Sequence, residues 1–249
     1  MFLGFLGGLS SVSGTPRNSE ERNPVPNAMR HFDREIEHLK ELLLRMGALV
    51  EDRISESIRA LLERDTEAAQ RVIENDTAVD QMELEIDQHT IELIAMMQPA
   101  AVDLRFVAAA MKITPELERV ADLAVDVCER AIELNREPPL KPLIDIPRLA
   151  RMAQDMVRQS LDAFVRRDAI LAREVIARDD EVDLLTEQSF RELLTYMLED
   201  SRNISRAIRL TFIGKYFERM ADGATNICEM VVYLAEGKVI KHQHEHESD

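Results

Sequence analysis

The chain has 249 residues, of which 45% are hydrophobic and 4% aromatic, and its formal net charge at pH 7 is −16. The apolar share is that of a folded protein and excludes a chain disordered throughout. The acidic excess and the absence of tryptophan argue against a nucleic-acid-binding protein, because such proteins place Lys and Arg on phosphates and stack bases on aromatic rings. Glycine (8) and proline (9) are scarce and strong helix formers abound, so we predict an all-α fold.

The N-terminal segment is apolar only over Met1–Leu9 and is then rich in Ser, Pro and Asn as far as Asn27. The apolar run is shorter than the roughly 20 residues of a membrane-spanning helix and lacks the basic flank of a secretory signal. We therefore predict a disordered extension over residues 1–28, with Met29 as an alternative start, and no direct insertion into a membrane.

The first half of the chain contains three stretches in which apolar residues recur at helical spacing. They run from about Phe32 to Leu62, from an N-cap at Asp65 to Met97, and from Val102 to Leu134. Pro115 falls inside the third stretch and is expected to kink or interrupt it. Long helices with short connections pack as antiparallel neighbours, so residues 29–137 are predicted to form a three-helix bundle.

A proline-rich segment, residues 138–147, separates this bundle from a second one because proline denies a helix its backbone donors. The second bundle is predicted over residues 148–237, followed by a disordered polar tail over residues 238–249. Its helices are expected at about Leu149–Arg166, Ala169–Leu198 and Ser205–Leu234.

The two halves are copies of one another. Arg64-Asp65 returns as Arg167-Asp168 at a shift of 103 residues, and Glu118–Glu129 returns as Glu218–Glu229 at a shift of 100, with 7 of 12 positions identical. Preserved order and identical polar residues indicate an internal duplication of one helical unit.

Acidic residues spaced by four form rows along predicted helices. Four residues advance a helix by about 400°, so Glu118, Asp122 and Asp126 lie on one slowly drifting face. Like charges at this spacing cost a few tenths of a kcal/mol each unless they are neutralised. Rows that converge from two helices provide the oxygen ligands that Mg, Ca, Mn or Fe prefer. The alternative is a solvated acidic face that Arg119 and Arg219 screen.

Other candidate sites are weaker. Glu35-x-x-His38 is half of a di-iron motif, but the sequence has no second such pair, so an exposed pair is the better interpretation. The histidines of the segment 242–246 are assigned to a solvated tail. No nucleophile with a neighbouring base is found, so an enzyme is not predicted. Cys128 and Cys228 are expected to be buried thiols, as in a protein of the reducing cytoplasm.

Several of these segments resemble the PhoU family. They are Gln98-Pro99-x-Ala101-x-Asp103-Leu104-Arg105, Glu118-Arg119-x-x-Asp122 and Glu218-Arg219-x-x-Asp222, and the resemblance spans roughly Met29 to Gly237. Two departures stand out. Gly223 occupies a position where the family often has histidine, and Pro115 lies close to the first acidic row.

The resemblance implies two tandem three-helix bundles and a cytoplasmic negative regulator of the phosphate-starvation response. It further implies an adaptor between the ATPase subunit of a phosphate ABC transporter and a sensor histidine kinase, and a homodimer. The alternative is a ferritin-like metal-binding protein without a phosphate role. No basic phosphate pocket is evident in the sequence, so the signal is expected through protein contacts.

The family motifs are associated with metal ions, here Fe, Zn, Mg or Mn. The implied ligands are Asp76, Asp80, Glu118 and Asp122 in the first half and Asp179, Asp183, Glu218 and Asp222 in the second. Further ligands among Asp126, Glu129, Asn226 and Glu229 are left open.

Overall fold

The computed structural model describes residues 27–75, 77–99, 101–238 and 240, and describes side chains from His31 onward except at residues 97, 101 and 102. These residues form an all-α fold, as predicted. The helices are α1 (Asn27–Glu63), α2 (Thr66–Glu74), α3 (Thr77–Met97), α4 (Ala101–Asn135), α5 (Asp145–Arg166), α6 (Ala169–Ile176), α7 (Asp179–Glu199) and α8 (Ile204–Glu236), with a 3-10 turn at Ser201–Asn203. Nearly all of the predicted N-terminal extension and polar tail lies outside the described residues.

Each half has the three predicted helical stretches, but the middle one consists of two segments, α2 and α3 or α6 and α7. In the first half, the Asn75 backbone N–H donates to the Arg71 carbonyl and closes α2. In the second half, α7 starts with three acids, Asp179, Asp180 and Glu181, which favourably face the positive end of the helix dipole. Neither break carries proline or glycine before it, so the sequence pattern did not reveal it.

The duplication is visible in the turns that follow the first helix of each half. Asp65 and Asp168 both cap the next helix, since their Oδ1 atoms accept hydrogen bonds at 2.9 Å from the Ala68 N–H and at 3.1 Å from the Leu171 N–H. The arginines before them, Arg64 and Arg167, both adopt a left-handed backbone, with φ of 55° and 53°. The predicted N-cap at Asp65 is confirmed.

The two halves share one hydrophobic core. Helix α4 packs antiparallel against α8, and α5 packs against both α1 and α8, so buried residues of both halves form one cluster. Gly47 lets α1 approach α5 closely, because a Cβ at this position would stand 2.1 Å from Leu161 Cδ1. Neither half covers its own apolar faces alone.

The α4–α8 pair follows the duplication closely. Asn226 on α8 bonds Glu116 on α4, and Arg209 on α8 bonds Glu133 on α4, which sets an antiparallel register. In this register, the duplicated residues Ala121 and Ala221 come opposite each other, and both are buried. The pair is therefore nearly two-fold symmetric about these two small residues.

Pro115 does not interrupt α4, which continues from Ala101 to Asn135. The predicted interruption is therefore wrong, whereas the predicted kink stays a prediction. Buried Ile113 and Leu117 flank the proline and hold the segment in the core, and the buried Thr114 hydroxyl donates to the Ala110 carbonyl at 3.0 Å. Burial of this apolar face outweighs the one backbone hydrogen bond that proline removes.

The proline-rich segment between α4 and α5 is bonded to helices of the second half. Arg206 on α8 donates to the Pro138 carbonyl at 2.9 Å, and Lys141 forms an ion pair with Glu192 on α7. None of the described helices is long and apolar enough to cross a bilayer.

Candidate metal centres

The first acidic cluster lies between α3 and α4. Asp80 and Glu83 on α3 meet Glu118 and Asp122 on α4, close enough for their charges to interact. Partial burial, then the charges of Asp122, Glu83 and Asp80, raises the pKa of Glu118 from 4.5 to about 7. Asp80 and Asp122 are exposed, so the cluster opens to solvent. Asp76, the remaining predicted ligand of this half, lies outside the described residues.

Glu83 is a member of this cluster that the sequence analysis missed. Partial burial and the charges of Asp87, Asp80 and Asp122 raise its pKa. The signal was present in the sequence, because Asp80, Glu83 and Asp87 follow one another at spacings of three and four and so share a helix face. The acidic row on α3 is longer than the predicted pair.

The second cluster lies at the duplicated place, between α7 and α8. Burial, then the charges of Asp222, Asp183 and Asp180, raises the pKa of Asp179 from 3.8 to about 7, while the Thr225 hydroxyl opposes the rise. Desolvation and the charge of Glu218 also raise the pKa values of Asp183 and Asp222. All four predicted carboxylates of the second half therefore lie near one another.

The second cluster has one cation that the first lacks. It has also lost two acids and gained one, Asp180, where the first half has Thr77. The Lys215 ammonium donates to Glu218 Oε1 at 2.7 Å, whereas Pro115 occupies the duplicated position in the first half. Thr186 and Phe190 stand where the first half has Glu83 and Asp87. The first cluster is therefore the more negative of the two.

The third residue of each row, Asp126 or Asn226, lies toward the contact between α4 and α8. The Asn226 amide donates to Glu116 Oε2 on α4 at 3.3 Å. Asp126 has a raised pKa, caused first by partial burial and then by Glu129, with Arg130 opposing the rise. Each step of four residues turns the row by about 40°, so two steps carry the third residue toward the α4–α8 contact. Asp126 still feels the charge of Asp122, so it lies at the drifting end of the row, and its part in a metal site stays a prediction.

Comparison with known proteins identifies the fold. The family model described as PhoU domain matches residues 43–131 and again residues 146–231, one match in each half of the duplication. The chain belongs to the PhoU family.

Two relatives and two solved structures agree with this assignment. A phosphate-specific transport system accessory protein PhoU homolog from Aquifex aeolicus is 43% identical over 85% of this chain and 96% of its own length. A homolog of the same description from Pseudomonas putida is 38% identical over 86% of this chain and 84% of its own length. The crystal structure of PhoU from Pseudomonas aeruginosa has a TM-score of 0.79 at 39% identity, covering 83% of this chain and 100% of the other. The structure of the phosphate transport system regulatory protein PhoU from Streptococcus pneumoniae has a TM-score of 0.77 at 27% identity, covering 84% and 99%.

The acids of both PhoU domains fit hard cations by their chemistry. The donors are carboxylate oxygens, which suit Mg, Mn, Ca or Fe. Several have raised pKa values because they are partly buried and because their charges repel one another. In the part of the chain that the structure describes, no three Asp, Glu, His or Cys side chains surround a common point as finished ligands do. The carboxylates are gathered but not closed around an ion, and the metal assignment stays a prediction.

Gly223, one departure from the family pattern, faces α4 rather than the acids of α7. A Cβ at this position would stand 3.1 Å from Val120 Cγ2 and 3.8 Å from Glu116 Oε2. The small residue therefore serves the contact between the two PhoU domains.

Glu35 of the predicted Glu35-x-x-His38 pair lies near two other histidines, 3.3 Å from His31 Nδ1 and 3.8 Å from His89 Nε2. The His38 ring meets the His89 ring edge-on, with 4.9 Å between the ring centres. Helix α3 therefore contributes a histidine that the sequence analysis missed.

Cys128 and Cys228 are buried free thiols, as predicted, and burial raises the pKa of Cys128 to about 12. The histidines of the tail lie outside the described residues.

Proposed function

We propose that this chain is an accessory regulator of phosphate transport that keeps the phosphate-starvation response off while phosphate is plentiful. Full-length membership in the PhoU family is the observation that carries the proposal, since the relatives match nearly end to end and are described as phosphate transport accessory proteins. The proposed role is non-catalytic. It is performed in the cytoplasm by an adaptor, which contacts the ATPase subunit of a phosphate ABC transporter and a sensor histidine kinase.

Exposed apolar side chains at duplicated positions support a role in protein contacts. Leu194 on α7 and Ile204 on α8 are 41% and 40% exposed, and their counterparts in the first half, Ile91 and Leu104, are 54% and 42% exposed. Exposed apolar residues that recur in both repeats are typical of protein-interaction surfaces, either with the two partners or within a homodimer.

Metal binding at the two clusters is the second part of the proposal. A hard cation would neutralise carboxylates on two neighbouring helices at once, α3 with α4 and α7 with α8, and so hold each pair together. The residues that would hold it are Asp80, Glu118 and Asp122 in the first PhoU domain and Asp179, Asp183, Glu218 and Asp222 in the second. Asp76 stays a predicted further ligand.

The test of the regulatory role is deletion of the gene in the host organism, followed by a reporter for phosphate-starvation genes and a phosphate-uptake assay in phosphate-rich medium. Deletion is expected to switch the reporter on, and the wild-type gene to switch it off again. Unchanged reporter and uptake after deletion would refute the role. Affinity purification from phosphate-replete cells tests the adaptor mechanism, because the transporter ATPase subunit and the sensor kinase are the expected partners.

A further inference from the structure

The two ends of the α4–α8 pair are related by the duplication, but their charges differ. At the end near the proline-rich segment, arginines of α8 meet acids of α4. Arg209 Nε lies 2.7 Å from Glu133 Oε2, and its Nη1 lies 3.1 Å from Glu137 Oε1. Arg206 Nε lies 3.7 Å from Glu137 Oε2. Positive and negative charge are matched at this end.

At the opposite end, the acids are missing from the duplicated positions. Tyr233 and Gly237 stand where the first repeat has Glu133 and Glu137. An arginine nevertheless reaches this place, since Arg105 Nη1 lies 3.9 Å from the point where a Cβ of Gly237 would stand. Its Nε is buried without a hydrogen-bond partner. The Nε atoms of Arg130 and Arg206 also lack a hydrogen-bond partner. Arg130 nevertheless bonds Glu133 through Nη1, and Arg206 lies near Glu137.

A second arginine at this end also departs from the duplicated pattern. Arg64 bonds two carbonyls at the end of α4, whereas its counterpart Arg167 places Cζ 5.1 Å from the centre of the Phe106 ring. Lys40 Nζ on α1 lies 5.8 Å from the centre of the same ring. Lys40 and Arg167 therefore lie beside one ring near the start of α4, and Arg105, the residue before Phe106, reaches the end of α8.

Two acidic side chains near these cations are already bonded, one of them to Lys40 itself. Glu37 accepts a hydrogen bond from Lys40 at 2.7 Å, and Glu236 bonds Arg173 through both of its oxygens at 2.7 and 2.8 Å. The negative end of the α8 dipole explains part of the attraction for cations, but it leaves the buried Nε of Arg105 unsatisfied. A buried arginine nitrogen of this kind requires an acceptor that the described side chains do not supply.

We propose that Lys40, Arg105 and Arg167 bind a small tetrahedral oxyanion, with free inorganic phosphate as the ligand. Arginine offers paired N–H donors that match the oxygens of phosphate, and a lysine adds charge without demanding geometry. In a chain of net charge −16, a local group of cations is the arrangement that anion binding requires. The inference rests on the proposed function, because it names the ligand that such a regulator would sense, and it replaces the expectation that phosphate acts only through protein contacts.

The test is calorimetric titration of inorganic phosphate into the full chain, purified without phosphate and kept in a chelator so that bound metal cannot hold the anion. Binding is expected in the wild-type protein. The variant Arg105→Gln with Arg167→Asn is expected to weaken it by roughly tenfold or more, since charge-assisted hydrogen bonds are lost. Asparagine tolerates the left-handed backbone of residue 167.

The matched control is Arg206→Gln, at the other end of the α4–α8 pair, which is expected to keep wild-type phosphate affinity. Circular dichroism checks the fold of each variant. If the double variant does not fold, Lys40→Gln replaces it, and this change is expected to weaken phosphate binding severalfold. Absence of phosphate binding to the wild type, or equal affinity in all variants, would overturn the proposal. The starvation reporter of the deletion strain is independent of this titration, so failure of the phosphate site and failure of the regulatory role give different results.

Discussion

The two acidic clusters occupy duplicated positions but carry different charge. Between α3 and α4, four carboxylates interact without a lysine among them, whereas between α7 and α8 Lys215 bonds Glu218. The acids of the shared positions persist in both repeats although burial, and then their mutual repulsion, raises one pKa to about 7 in each. Flanking positions have changed freely. The comparison favours the shared carboxylates as the proposed metal ligands and predicts that the two clusters differ in cation affinity.

The largest expected effect comes from removing the carboxylates of one cluster at a time. Glu118→Gln with Asp122→Asn is expected to lower cation affinity of the first cluster about 100-fold, which is about 3 kcal/mol, and to leave the second unchanged. Glu218→Gln with Asp222→Asn is expected to do the reverse. Elemental analysis and calorimetric titration with Mg²⁺ and Mn²⁺ measure both, with Glu187→Gln, an exposed acid paired to Arg191 at 3.0 Å, as the control. Full metal content in a variant that combines all four changes would exclude these carboxylates as ligands.

The next effect is a pH dependence of stability in the metal-free protein. Because folding raises the pKa of Glu118 from 4.5 to about 7, the folded state holds a proton that the unfolded chain has lost within this window. The stabilising contribution is complete below pH 4.5 and is lost as the pH rises through 7, so stability falls with rising pH. After discounting for solvent screening, about 1 kcal/mol is expected for Glu118.

Urea unfolding in a chelator over this pH range measures the dependence. Because the two halves share one core, Glu118→Gln and Asp179→Asn are each expected to reduce the slope of the whole chain, and the double variant to reduce it further. A slope that is the same in wild type and in all variants would contradict the raised pKa values.

A smaller effect is expected from removing the cation of the second cluster. Lys215→Gln is expected to raise the cation affinity of this cluster about fivefold, or about 1 kcal/mol, because the ammonium repels an incoming metal ion. The first cluster should not respond, which would bring the two centres closer in affinity. Arg191→Gln, an exposed cation on α7, is the control. A loss of affinity instead would mean that Lys215 organises the ligands.

The smallest effect is expected at the contact between the repeats. Gly223→Ala gains about 1 kcal/mol of helix propensity but places a methyl group 3.1 Å from buried Val120, so the net change in stability is expected to be within about 1 kcal/mol. Metal content should be unchanged, because this residue faces α4. Thermal unfolding and elemental analysis check both, and loss of metal from the second cluster would show that Gly223 shapes that site.

Much of the fold could be predicted from local patterns. Helical spacing gave the long helices, and Asp65 was recognised as a cap because a capping side chain acts within three residues. The breaks within the middle helices carry no proline or glycine before them, so local patterns did not show them. The duplication could be recognised from sequence alone because polar identities recur in order.

The candidate sites were only partly accessible to the same reasoning. The acidic pairs were visible as spacings of four, but Glu83 and Lys215 read as ordinary surface residues until tertiary packing placed them in the clusters. Asn226 bonds a residue of α4 because the row turns by about 40° at each step of four residues, and two steps separate Asn226 from Glu218. The unmatched cations at Arg105 depend on the register between α4 and α8, which is a tertiary property.

The nearly symmetric contact of α4 with α8 has an evolutionary consequence. A single repeat would leave the apolar face of its α4-type helix uncovered, and the residue pairs that now join the repeats would have to form between two separate chains. An ancestor with a single repeat would therefore cover this face by pairing two chains about a two-fold axis near the position of Ala121. With both repeats in one chain, the proline-rich segment is a covalent tether, and the two copies of each site can carry different charge.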